Sequence, residues 1–401
     1  MTPAATANAP REDSGLALSR LGMLWRALTL VAVACLVVLY FLPTWWVSLK
    51  APNYPEHTFP VGIRIHFHVD GVRNGCEVRT SKEVTEKEAL DCVHEMDTIN
   101  HFVGMYPIAS GGPVEKALSP FLFAFLGVLM IGFVIPRTRW RLIVMGGGFA
   151  AIAAWMALAV HVPGGVAYVS HGYVHSLITS LGADDEKASE DNLHPIVKQL
   201  KESLAKSGIG VDAPAVAKVN QMASKSELIK VLHDAYERDQ LQVAASEKKP
   251  WTGSLMQVFA WHYEKSLGRW FNQPEKNGRL VMIMEVVANI VFVAVIAAML
   301  IFLYFARNDR SPLFWTLVLT PMILPIAFLV EYGSWLWWYG HSLNEMGAFT
   351  LKPFMPTVFG QGKVAQFTTL SYPHTGFGLM VVVAVLLFVA ALMRRRELRG
   401  I

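Results

Sequence analysis

Hydrophobic residues in this chain are gathered into six long runs, near residues 24–42, 117–136, 140–162, 280–305, 312–331 and 376–393. A run of about 18–25 apolar residues can cross the hydrocarbon core of a bilayer as a helix, with its backbone polar groups satisfied internally. The pattern predicts six transmembrane helices. The first run follows Arg20 and Arg26, as a signal peptide would, but passes straight into Leu42-Pro43-Thr44-Trp45-Trp46 with no small-residue cleavage site. It reads as a retained anchor, with Trp45 and Trp46 at the far interface.

The short polar links carry arginine: Arg11, Arg20 and Arg26 before the first run, Arg137, Arg139 and Arg141 between the second and third, Arg307 and Arg310 between the fourth and fifth, and Arg394, Arg395, Arg396 and Arg399 at the end. Positive charge concentrates on cytoplasmic links, so both termini are expected in the cytoplasm. Arg269, Lys276 and Arg279 lie on the opposite side, but they follow a long loop, where the rule has little force. The resulting plan is a cytoplasmic tail (1–23), helix one (24–42), an outward segment (43–116), helices two and three (117–162), a second outward segment (163–280), helices four and five (281–331), a third outward segment (332–375), and helix six with its Arg-rich tail (376–401). The expected fold class is an all-α integral membrane protein whose outward segments are one small and strand-containing, one helical.

The first outward segment alternates, with Ile63, Ile65, Phe67 and Val69 on one face and Arg64, His66, His68 and Asp70 on the other, as a strand does. Asn74-Gly75 makes a turn after it, and 81–96 reads as a helix. Cys76 and Cys92 share this segment, where an oxidising compartment favours a disulfide; a dithiol metal site is the alternative. Cys35 packs inside the first span. In the second segment Ile196, Val197, Leu200 and Leu204 define an amphipathic helix over 194–206, and Ser224 with Glu227 forms a capping box ahead of Leu228, Val231, Leu232 and Tyr236. A further helix is expected over 254–271. The third segment, rich in glycine, proline and aromatic residues, is expected to fold back over the helix ends.

Composition agrees: 53% of the residues are hydrophobic and only 16% charged, which argues against a secreted soluble enzyme or a DNA-binding protein. The links are too short for a nucleotide-binding domain and no phosphate-binding glycine loop occurs, so neither nucleotide nor nucleic acid is an expected ligand. The lipid bilayer is the first partner.

All 13 histidines fall in outward segments or at the outer end of a span. His66-x-His68 puts two imidazoles on one strand face, and His94-x-Met96 and His101-x-x-x-Met105 add thioether sulfur, a combination suited to Cu(I). The plainer reading makes the methionines core and the histidines surface. His171-x-x-x-His175 shares a helix face but lacks a third ligand. Glu285 and Glu331 are carboxylates within or at the end of spans, where charge is expensive and often functional; snorkelling or a hydrogen bond to Trp or Tyr is the ordinary account. Trp335, Trp337, Trp338 and Tyr339 read as an aromatic belt. No Ser/His/Asp set and no c-type haem motif is present.

Trp46-Val47-Ser48-Leu49-Lys50-Ala51-Pro52-Asn53-Tyr54-Pro55-Glu56, Ile99-Asn100-His101-Phe102-Val103-Gly104-Met105, Pro353-Phe354-Met355-Pro356 and Phe367-Thr368-Thr369-Leu370-Ser371-Tyr372-Pro373-His374 resemble a largely uncharacterised family of bacterial multi-span membrane proteins. Members of that family accompany copper-handling lipoproteins and nitrous-oxide reductase maturation genes. The resemblance covers the first and third outward segments and the span order, and leaves out 181–250. It implies a place in the bacterial inner membrane and a role at the periplasmic face in copper binding, delivery or maturation of a copper-dependent respiratory enzyme, with a periplasmic copper protein or membrane complex as partner. Carried over by residue, it points to His101, Met105 and His374 as a copper site, with His66, His68, His94 and Met96 in reserve. Two alternatives stand beside it. One is a non-catalytic subunit of a respiratory or copper monooxygenase-type complex. The other is a small-solute transporter using Glu285 and Glu331, against which no inverted repeat relates the first and last three spans.

Overall fold

The computed structural model describes residues 10–76, 91–191, 224–349, 351–364 and 366–399. The helix expected over 194–206 and the first part of that expected over 81–96 lie outside them. Helix α1 (Pro10–Phe41) is stopped by Leu42-Pro43, since proline disfavours helical geometry in the residue before it. After α2 (Cys92–Phe102) come α3 (Pro113–Val134), entered through a proline in its first turn, and α4 (Thr138–His161). Among the described residues between the third and fourth spans lie three helices, α5 (His171–Asp191), α6 (Lys225–Gln242) and α7 (Leu255–Trp270), and the capping box at Ser224 and Glu227 forms as its spacing predicts. Then follow α8 (Pro274–Phe305), the short α9 (Thr316–Met322), α10 (Leu324–His341) and α11 (Thr375–Arg399).

Among the described residues, five helices are long and apolar enough to cross a membrane, and a sixth span arises if the broken pair Pro312–Met322 and Leu324–His341 counts as one. That pair bends by 56°. Pro321 and Pro325 flank the break, and each removes a backbone donor from the helical ladder. The expected fifth span ended at 331, but α10 continues to His341, so Glu331 stands within a helix rather than at its end.

The segments expected to face outward hold more strand than the sequence pattern predicts. Strands β1 (Trp45–Lys50), β2 (Ile63–His68), β3 (Gly71–Asn74), β4 (Gly360–Val364) and β5 (Phe367–Pro373) form one antiparallel sheet in the order β3-β2-β1-β5-β4. The expectation of an all-α fold with a small strand element is corrected accordingly: the first and third segments share a five-stranded sheet. Trp45 is likewise no interfacial anchor. It is 1% exposed in the central strand, its indole N–H donating to Ser371 Oγ at 2.9 Å. Tyr332 and Phe377 pack against its ring, so α10 and α11 are keyed to the sheet. Cys76 and Cys92 are disulfide-bonded, tying the chain after β3 to the start of α2.

At the other end of the bundle two arginines are buried instead of solvated. Arg141 donates to the carbonyls of Ile135, Pro136 and Ala306 at 3.0–3.1 Å, satisfying acceptors left over at the ends of α3 and α8. Arg394 donates to the Phe133 carbonyl and lies over the rings of Trp25, Phe133 and Phe314. Trp25 in turn donates to Glu397 Oε2 at 2.6 Å, so the first and last spans are joined at this end as the sheet joins them at the other.

Candidate functional site

The pleat of β2 puts His66 and His68 on one face, as the alternation predicts. His66 opposes Trp46 of β1, which in turn opposes Tyr372 of β5. His374 follows β5, held by its backbone N–H donating to Thr44 O at 3.0 Å. Sheet pairing thus brings His66 and His374 together from the two ends of the sequence, with ring centroids 5.2 Å apart. Burial pushes His66 down to about 4 and His68 down to about 3, with neighbouring positive or histidine groups adding to the effect. His374 is lowered by burial and then by Arg64. The three imidazoles are held neutral, the state a metal requires.

The other residues considered as ligands have different surroundings. His101 lies against Trp270 and Phe271, with centroids at 5.7 and 5.1 Å, and His94 meets the Arg269 guanidinium at 2.8 Å. Met96 and Met105 are core residues, 2% and 5% exposed. Helix α2 ends before Met105, whose backbone N–H turns back to Asn100 O, so His101 and Met105 do not share a helix face. The pairing of His374 is therefore with His66, and the described contacts of His101 and Met105 place neither beside it. Among the described residues, no group of three or more His, Cys, Asp or Glu is arranged to hold a metal. The rings of His171 and His175 stack at 6.3 Å. Glu285 is half-exposed on α8.

A second feature opens where the sheet meets the bundle. A cavity of about 300 Å³ lies between α3 and α10 and is covered by the end of β2. Its walls are mainly apolar, but Glu115, Lys116, Glu331 and His68 also line it. Gly112, at φ +60, is the left-handed residue that lets the chain turn into α3. A Cβ there would lie 3.5 Å from both Glu115 Oε2 and Glu331 Oε1, so carboxylates of two different spans converge at the start of α3. The positive end of that helix favours negative charge at this place. Lys116 donates to Ala109 O at 2.5 Å, and its positive charge acts on both carboxylates. Two buried atoms here have no partner among the described residues: Glu115 Oε2 and His68 Nδ1.

Glu331 was visible in the sequence as an intramembrane carboxylate. Glu115 and Lys116 were missed because they immediately precede the apolar run at 117 and so read as part of the outward segment; the signal was Gly111-Gly112-Pro113 ahead of two charges at a helix start.

The arrangement defines an integral membrane protein: a bundle of five or six candidate spans topped by an antiparallel sheet. No family model, curated protein or solved structure matches this chain.

Proposed function

We propose that this protein binds and hands on copper at the sheet-bearing face, which the arginine distribution assigns to the periplasm. The observation that carries the reading is the His66–His374 pair, two imidazoles drawn from the first and last parts of the chain by strand pairing. The resemblance of the segments containing His101 and His374 to proteins that accompany copper-handling genes supports the choice of metal. Two neutral imidazoles suit Cu(I), and a site with so few protein ligands keeps room for an acceptor to take the ion away. His68, on the same strand face, is the nearest reserve donor. His101 and Met105 become structural residues in this reading.

The test is copper content after anaerobic loading of the detergent-purified chain with Cu(I). About one copper per chain is expected, lost in His66→Ala/His374→Ala and kept in His101→Ala. Binding should weaken as pH falls and protons compete for the imidazoles. Failure of the parent chain to hold copper, or retention of copper by the double variant, overturns the reading.

A further inference from the structure

The cavity between α3 and α10 differs from a packing defect, because it combines aromatic walls with buried, unpartnered polar atoms. Phe67, Phe123, Phe328, Tyr332 and Trp335 contribute rings to the lining. Its volume of about 300 Å³ suits a small cyclic head group. Ala327 is exposed, and Leu122, Phe123 and Leu324 are half-buried. These residues belong to the apolar lengths of two candidate spans, so the mouth opens toward acyl chains and a ligand can enter from the bilayer.

The polar groups define what the head must offer. Glu115 and Glu331 are acceptors when ionised, and a neutral imidazole retains one accepting nitrogen. His68 Nδ1 is buried without a partner among the described residues. Lys116 spends one of its three donors on the Ala109 carbonyl, and the Trp335 indole N–H donates to Glu331. Two carboxylates and an imidazole still offer more acceptor positions than these donors can fill, and an unmet buried acceptor is costly. A phospholipid head fits poorly, since its phosphate would meet two carboxylates and its glycerol has no ring to lay against the aromatic wall.

We propose that this crevice is a binding site for a membrane-borne hydroquinone, one hydroxyl donating to the Glu115–Glu331 pair and the other to His68. The ring lies among the aromatic side chains and the tail leaves between α3 and α10. The assignment shares only His68 with the copper reading and needs neither His66 nor His374.

The experiment uses the full chain in phosphatidylcholine nanodiscs, with radiolabelled decyl-hydroquinone as probe under anaerobic conditions. Saturable binding is expected, and the oxidised decyl-quinone, which only accepts hydrogen bonds, should bind about tenfold more weakly. Glu115→Gln/Glu331→Gln should weaken hydroquinone binding by about tenfold, with a smaller effect on the quinone. Ala327→Phe, which narrows the mouth without touching the polar groups, should reduce binding of both forms while leaving the circular dichroism spectrum unchanged. Equal affinity for the two redox forms overturns the proposal, as does undiminished binding in a folded Glu115→Gln/Glu331→Gln chain. So does the absence of saturable binding to the parent protein.

Discussion

Asp97 and His262 are buried titratable residues whose effects on stability run in opposite directions. Asp97 lies in α2 and accepts the Ala109 N–H at 3.4 Å. Burial, only partly offset by that bond and by Arg269, raises its carboxyl to about 7. The folded chain therefore keeps a proton that the unfolded chain releases near 3.8, and stability declines as pH rises between those values. Asp97→Asn keeps an acceptor for Ala109 and removes the ionisable group. It should stabilise the protein by on the order of 2 kcal/mol at pH 8 and very little at pH 4, read from thermal melts in detergent. An equal gain at both pH values would contradict the assignment. His262 works the other way. It contacts Ser180 Oγ at 2.7 Å and Leu177 O at 3.0 Å, and burial lowers it to about 4. Its contribution is complete above about pH 6.5 and is lost as pH falls toward 4. Neither residue was legible in sequence as a buried group, because burial here depends on which helix packs over it, and α7 reaches α2 from far along the chain.

Among the elements, the disulfide is the most direct target for measurement. Cys76 and Cys92 are 16 residues apart, and their bond fixes the sheet to α2. The backbone N–H groups of both cysteines are within 3.0–3.4 Å of Asn74 Oδ1, so one side chain organises both ends of the closed loop. Cys76→Ser/Cys92→Ser should cost about 3 kcal/mol through the regained freedom of the unfolded segment. A chemical melt matching that of the parent would refute this. Helices and their caps were readable because an apolar run or a capping box is a local signal. The five-stranded sheet was not. Only β2 shows clean alternation; β1 begins with two tryptophans that mimic an interfacial belt, and β5 reads Phe-Thr-Thr-Leu-Ser-Tyr-Pro, without a clear period. Its partner strand is supplied from the opposite end of the sequence, and short-range pattern carries no trace of that pairing. The same limitation concealed the His66–His374 contact, although both residues were individually visible.

For the whole molecule, the alternation of spans places the sheet, α2 and α5 to α7 at one end of the bundle and the buried arginines at the other. Reporter fusions after residues 70 and 360 should score as periplasmic and one after residue 308 as cytoplasmic, on the strength of arginine in the short links. A cytoplasmic reading at 70 would invert the bundle and place the histidine pair in the wrong compartment for the proposed copper role. The overall span plan was legible because the bilayer imposes a length on each helix. The bend near Ile323 was less so, since prolines in an apolar run do not reveal whether the helix merely kinks or breaks.

The placement of β1 between β2 and β5 also sets an order for biosynthesis. Synthesis proceeds from the N-terminus, so β1 and β2 leave the ribosome while β5 has yet to be made. One edge of β1, with Trp45 and Ser48 beside it, must wait through the insertion of four further spans before residues 368–373 arrive to cover it. During that interval the nascent chain carries an open strand edge, the kind of surface that captures other strands. A premature stop before residue 367 makes the waiting state permanent, so quality control has a strand edge by which to distinguish unfinished chains from complete ones.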